Sequence, residues 1–309
     1  MHALPFAFYQ HQQETNPIES ISPPLHNNEN TTTVNECLTT RPSNRALSPV
    51  NSPTRRNRND PIIPAGTNRS FTFYYQNVRG LRTKTNDLFL SLSQCDYDII
   101  AFTETWLHSG IQNSELTNNY RIYRCDRNEQ TSRHARGGGV MIAVKSDLQS
   151  TAVCISGCDQ LEQIIVRVVV PNFDIIVCSI YLPPNSELIR YEQHALCVQK
   201  LIDLAGDRNV VLVVGDYNLP LLRWTHDETV NCLLPVNASS EQEIALVESI
   251  VSKGLHQIND LTNFNGRLLD LAFISVNRCV EVLEPPLPLL SIDNHHRPFL
   301  ILFELADEE

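Results

Sequence analysis

Beyond about residue 70 the chain falls into short apolar runs separated by polar and turn-forming residues. Runs rich in Val, Ile, Tyr and Phe and bounded by Gly, Pro, Asn or Asp read as β-strands. They predict strands at 71–78, 97–103, 120–125, 139–144, 163–170, 174–181, 210–214, 268–275, 280–283 and 299–303. Helices fit 83–92, 186–205 and 241–252. Ser239 and Ser240 precede the third helix as candidate caps, and acids follow in its first turn, where the helix dipole favours them. Many strands with a few helices at intervals predict two β-sheets packed face to face with helices outside. No internal repeat is visible.

The first 69 residues break this pattern. They hold nine of the 18 prolines, are rich in Asn, Thr and Ser, and lack hydrophobic periodicity. Such a segment buries too little apolar surface to offset its chain entropy, so disorder is expected for 1–69 and one folded domain for 70–309. Arg55, Arg56 and Arg58 form a small basic cluster that reads as part of a solvated tail.

Charge narrows the choice of partners. The whole chain carries a formal net charge of −11, and residues 70–309 hold 18 basic against 30 acidic side chains. An ordinary nucleic-acid binder is basic. A domain this acidic must bind a polyanion weakly, or rely on a few local cations and a metal. No apolar run is long enough to span a bilayer, so no membrane partner is expected. The nine cysteines include no Cys-x-x-Cys pair, which predicts reduced thiols and an intracellular, nuclear or cytoplasmic, protein.

The candidate chemistry sits where strands end. Val210 to Val214 reads as a buried strand that runs into Gly215-Asp216-Tyr217-Asn218. Residues two apart on a strand point the same way, so Asp216 and Asn218 can face one pocket. A full negative charge beside a neutral amide suits a phosphate substrate. Other strand ends carry Gln76-Asn77, Glu104, Tyr181, Asp270 and Asp293-Asn294-His295-His296. The triple glycine 137–139 reads as a tight hairpin entry, with Arg133 and Arg136 just before it.

In this order the motifs resemble the endonuclease/exonuclease/phosphatase superfamily. The stretches Gln-Asn-Val-Arg-Gly-Leu-Arg-Thr-Lys (76–84), Gly-Gly-Gly-Val (137–140) and Ser-Ile-Tyr-Leu-Pro-Pro (179–184) look most like the endonuclease domain of jockey-like non-LTR retrotransposons. The resemblance covers about 70–305 and implies an α/β fold, a four-layered α/β sandwich of DNase-I type. It implies a Mg²⁺-dependent endonuclease, with Mn²⁺ able to substitute, that nicks DNA and leaves a 3′-hydroxyl to prime reverse transcription. Glu104 then resembles the carboxylate that holds the metal, and Asn77 the amide beside it. Asp216 resembles the acid that orients or deprotonates the attacking water. Asn218 and Tyr181 resemble the groups that hold the phosphate. His296 resembles the histidine that stabilises the transition state, and Asp270 the acid that supports it. Arg79 joins Arg133 and Arg136 as an expected DNA contact.

The chain departs from the family pattern in its last motif, which usually places Asp directly before His. Here Asp293 lies three residues before His296, and His295 occupies the acid's place. The reverse transcriptase domain that the resemblance implies is absent from this chain, which is therefore expected to be a fragment, a truncated copy or a separate reading frame. Two rival functions remain at the level of sequence. One is a phosphodiesterase or phosphatase of the same superfamily acting on a small phosphoester, favoured by the acidic charge. The other is a catalytically inactive relic, favoured by the irregular last motif.

Overall fold

Side chains alternate between two faces along the central strands, such as 173–181 and 210–216, and both of their faces are covered, so the layers follow directly from the sequence. The computed structural model describes residues 70–304 apart from 135, 171–172, 207, 229–231 and 276–279. The expected disorder of 1–69 and the basic cluster at 55–58 lie outside the described residues. The strands in chain order are β1 (Ser70–Asn77), β2 (Ile99–Thr103), β3 (Tyr120–Cys125), β4 (Val140–Lys145), β5 (Ser150–Ala152), β6 (Glu162–Val170) and β7 (Phe173–Tyr181). They continue with β8 (Val210–Asp216), β9 (Trp224–Asp227), β10 (Cys232–Pro235), β11 (His256–Gln257), β12 (Asp270–Ile274), β13 (Val280–Leu283) and β14 (Phe299–Glu304). The helices are α1 (Thr85–Gln94), α2 (Leu188–Ala205) and α3 (Glu241–Ile250).

Among the described residues these strands form two mixed sheets. One runs β13-β14-β1-β2-β4-β3, the other β5-β6-β7-β8-β12-β11-β10-β9. Between them Phe73, Tyr75, Ile99 and Ala101 of the first sheet pack with Val177, Leu212, Val214 and Ala272 of the second. The neighbouring residues face outward: Tyr74, Ile100 and Phe102 meet Leu88 and Leu92 of α1. On the far side Ile176, Cys178, Val211 and Val213 meet Tyr191, Val198 and Leu201 of α2 and Leu246 and Ile250 of α3. Each Val, Leu, Ile or Phe side chain among them contributes about 1.5–3 kcal/mol when fully buried. The result is the four-layered α/β sandwich of DNase-I type that the sequence predicts.

Element ends differ from the sequence expectations by a few residues, and four short strands, β5, β9, β10 and β11, go unpredicted. Ser240 does cap α3: its hydroxyl accepts from Glu243 N–H at 3.2 Å, and Glu243 Oε2 accepts from Ser240 N–H at 3.0 Å.

One feature of the topology positions the site. Each sheet contains a single parallel pair joined through a helix: β1 and β2 through α1, β7 and β8 through α2. The antiparallel partners β14 and β12 begin where these pairs end, because Tyr75 pairs with Phe299 and Asp216 with Asp270. The carboxyl ends of four strands and the amino ends of two thus meet at one edge of the sandwich. Ligands of open α/β sheets bind at such carboxyl ends.

Candidate active site

The Gly-Asp-Tyr-Asn turn is shaped by two demands. Gly215 lies opposite Ile180 on β7, and a Cβ there would come within 2.1 Å of the Ile180 carbonyl oxygen. Only glycine allows that approach. Tyr217 then points away from the site into the α2 layer, where its hydroxyl meets His194 Nε2 at 2.9 Å. Burial holds His194 down to about 3, so it is a neutral structural histidine. With Tyr217 anchored, Asp216 and Asn218 face the other way. Asp216 Oδ1 accepts from the Asn218 N–H at 3.1 Å, and the Asn218 amide donates to the Leu182 carbonyl at 2.9 Å.

Three groups from different strands meet at Asn77. Its amide donates to Glu104 Oε1 at 3.2 Å and to Asp216 Oδ2 at 3.0 Å, so it bridges a carboxylate of each sheet. Its carbonyl oxygen accepts from the Arg79 N–H at 3.1 Å. Glu104, Asp216 and His296 each offer one ligand atom within 4.8 Å of the others.

His296 is held by a relay across the sheets. Its Nδ1 lies 2.8 Å from Asp270 Oδ2, and its Nε2 lies 3.8 Å from Asp216 Oδ2. Asp270 Oδ1 accepts from the Tyr75 hydroxyl at 2.7 Å, and the Asp270 carbonyl from Asn259 at 2.7 Å. Burial pulls the imidazole down, but the charge and hydrogen bond of Asp270, then Asp216 and Glu104, outweigh it and push it up to about 10. Asp216 moves well above the usual carboxylate range, first through burial, then through the charge of Asp270, with His296 opposing. Burial first, and then a like charge in the same dry site, account for that direction.

Asp293 takes a different place. His296 N–H donates to its carbonyl at 3.2 Å, closing a turn. Its carboxylate accepts from His295 N–H at 2.8 Å and pairs with Arg79 Nη1 at 3.1 Å. The extra residues of the last motif are absorbed by this turn, and Asp270 supplies the acid that touches the ring. His295 is exposed, with its carbonyl bound by Asn263 at 2.9 Å.

Tyr181 is buried beside the carboxylates, and its hydroxyl has no hydrogen-bond partner among the described residues. Burial, then the charges of Glu104 and Asp216, push the phenol far up, so it stays a donor. Arg127 lies over its ring, 5.9 Å from the centroid. Arg133 and Arg136 are exposed on the glycine hairpin and touch none of these groups; the Arg136 carbonyl accepts from Arg127 at 2.7 Å.

The sequence reading leaves out Tyr75, Trp106, Arg127 and Glu162. Tyr75 carries one usable signal, since it lies two residues before Asn77 and shares its face. The other three are brought in by sheet pairing and loop contacts. Among the described residues, left-handed backbone outside glycine occurs at Arg79, Glu104, Trp106, Asn185 and Asn218, with φ from 41° to 60°. Four of the five lie in or against the site, where strain of about 1–3 kcal/mol per residue commonly collects.

Strand-end carboxylates, amides and a histidine are thus gathered at one edge of a two-sheet sandwich. Residues 75–286 match the Endonuclease/Exonuclease/phosphatase family, and the chain belongs to it. The fold is similar to that of the endonuclease domain of TRAS1, a telomere-specific non-LTR retrotransposon, with 15% identity, a TM-score of 0.53, and 77% of this chain and 99% of that one covered. It is also similar to the AP endonuclease LMAP from Leishmania major, with 13% identity, a TM-score of 0.56, and 80% and 93% covered. The Xenopus laevis APE2 catalytic domain gives 15% identity, a TM-score of 0.54, and 77% and 94% covered. No curated protein sequence matches the chain. No helix of the described residues is long and apolar enough to cross a membrane.

Proposed function

We propose that this protein is a Mg²⁺-dependent endonuclease that hydrolyses a DNA phosphodiester and leaves a 3′-hydroxyl, nicking target DNA for retrotransposon insertion. The observation that carries the reading is the meeting of Glu104, Asp216 and His296 within 4.8 Å around the Asn77 amide. A carboxylate beside a neutral amide fits a small hard cation, which takes one or two carboxylates, keeps waters and shares phosphate oxygens. Glu104 would hold it, with Asn77 beside it. Such a cation would supply positive charge to offset that of the phosphate.

The remaining steps belong to the chain's own side chains. Asp216, with its raised affinity for protons, accepts the proton of the attacking water. His296 donates from Nε2 to a phosphate oxygen as negative charge builds. Asp270 fixes the ring through Nδ1, and Tyr75 fixes Asp270. The Tyr181 hydroxyl and the second N–H of Asn218 hold the phosphate from the other side. Positioning and charge neutralisation suffice for phosphoryl chemistry, so groups scattered over six strand ends can perform it. Arg79, Arg133 and Arg136 are the proposed backbone contacts of the DNA. The likeness to the TRAS1 endonuclease domain, together with the 76–84, 137–140 and 179–184 motifs, supports the retrotransposon assignment.

The test is nicking of supercoiled plasmid with Mg²⁺ or Mn²⁺ against EDTA, using wild type and Glu104→Ala. Wild type should nick only with metal, and Glu104→Ala should be inactive while keeping its melting temperature. Nicking in EDTA, or by Glu104→Ala at the wild-type rate, overturns the metal assignment. Turnover of a small phosphodiester without plasmid nicking would select the rival that the acidic charge favours.

A further inference from the structure

Glu104 is gripped from two sides, and only one grip belongs to the site as described so far. Its Oε1 accepts from Asn77, while its Oε2 accepts from the Trp106 indole N–H at 3.2 Å. Trp106 is an expensive way to supply one donor. Its backbone is left-handed, at φ 55°, which bulky residues avoid. Its ring is 37% exposed, so core burial does not explain the conformation.

The surroundings are built to hold it there. Trp106 N–H donates to the Gly138 carbonyl at 2.8 Å, and Thr105 N–H to the Gly139 carbonyl at 3.2 Å. The indole lies flat on Gly80, where a Cβ would meet its Cε3 at 2.7 Å. The glycine hairpin is itself anchored from below. Buried Glu162 accepts from Gly139 N–H at 2.6 Å through one oxygen and from Arg127 Nε at 2.6 Å through the other. A Cβ at Gly138 would lie 1.9 Å from that carboxylate. The chain of contacts runs from a buried ion pair, through the hairpin, to one indole N–H on one carboxylate oxygen.

We infer that Trp106 is a positioning residue that fixes the rotation of the Glu104 carboxylate for a divalent cation. The inference rests on the proposed metal site. A glutamate's terminal torsion is broad and costs little to turn. Donors on both oxygens remove that freedom before the cation arrives. Residues that orient metal ligands in this way typically change metal affinity about 10–100-fold when lost. Because Trp106 acts through Glu104, its loss should show in metal affinity and be repaired by excess metal.

The experiment uses the full chain with Mg²⁺ and Mn²⁺ as probes. Calorimetry should show Trp106→Phe, which keeps the ring on Gly80 and lacks the N–H, binding metal about 10-fold more weakly than wild type. Its half-saturating Mg²⁺ for nicking should rise by the same factor, with kcat at saturating Mg²⁺ within a few-fold of wild type. A second readout needs no stable variant: in wild type, the Trp106 indole N–H resonance should shift on Mg²⁺ addition and that of Trp224, the other tryptophan, should not. Equal affinity of Trp106→Phe and wild type, or an unmoved Trp106 resonance at saturating metal, overturns this inference alone. Wild type that binds no divalent cation overturns it together with the proposed metal site.

Discussion

Asp216 and Asp270 are cross-strand partners on β8 and β12, and His296 stands between their carboxylates, 2.8 Å from Asp270 and 3.8 Å from Asp216. Two acids share one base. That relationship sets the protonation of the whole candidate site, and it can be measured without substrate.

In metal-free protein the His296 imidazolium should persist to about pH 10. A histidine raised above its ordinary 6.5 contributes stability that is complete below pH 6.5 and is lost as pH rises toward 10. Asp216, raised mainly by burial, acts in the same direction, since its ionised form is disfavoured in the fold. Asp270→Asn removes the main charge that raises His296, so the imidazole should titrate about 1–3 units lower. The loss of stability on raising the pH should shrink with it. NMR titration of the histidine rings in EDTA checks the first effect and denaturation against pH the second; an unmoved titration would show that Asp270 does not govern the ring.

The doubled histidine separates cleanly. His296→Ala should lower kcat about 10²-fold or more, the scale of losing an acid/base or transition-state donor. His295→Ala should cost far less, because the backbone carbonyl of His295, not its ring, is what Asn263 holds. Steady-state kinetics of the two variants decide between them.

Gly215→Ala should be destabilising by about 1–3 kcal/mol, the range for overpacking a well-filled core. The new methyl would sit 2.1 Å from the Ile180 carbonyl and force β7 away from β8. Since Tyr181 ends β7 and Asp216 ends β8, activity should fall further than stability alone requires. Urea denaturation and the nicking assay measure the two effects, and an unchanged midpoint would show that the strands yield freely.

DNA binding should be weak and salt-dependent, because residues 70–309 carry 30 acidic against 18 basic side chains. Each phosphate contact contributes about −0.9 to the slope of log K against log salt. About two to five contacts, through groups such as Arg79, Arg133 and Arg136, would give a slope between about −2 and −4.5. Titration at several salt concentrations gives the slope; tight binding that ignores salt would contradict it.

Much of this architecture is legible in the sequence for a physical reason. A strand buried on both faces, such as Val210–Asp216, must be apolar almost throughout, and that run is hard to mistake. The strands that go unpredicted lie toward the rims of the second sheet. Trp224–Asp227 is only half covered, and His256–Gln257 spans two residues, so neither leaves a pattern. Glu104, Asp216 and Asp270 are legible because each is a polar residue directly bordering or ending an apolar run. Tyr75 is legible only as a neighbour on the face of Asn77, since its partner Asp270 is 195 residues away and only the pairing of distant strands brings them together. Glu162 is hidden for the same reason, since Arg127 and Gly139 lie 35 and 23 residues away; Trp106, only two residues from Glu104, is hidden because the left-handed turn that aims its indole leaves no pattern. The Arg79 pairing of Asp293 likewise depends on a loop turn that spacing does not reveal.

Glu104 follows a strand of one sheet and Asp216 ends a strand of the other, with the Asn77 amide spanning the junction. The separation of the two acids therefore depends on the thickness of the apolar filling between the sheets, read out at its edge. Ala101 and Ala272 are among the smallest spacers in that filling. Enlarging either would wedge the sheets apart like a shim, and close packing transmits such a change rather than absorbing it. Chemistry at the edge would then be lost while the sandwich still stands, so the size of the filling is constrained by what happens outside it.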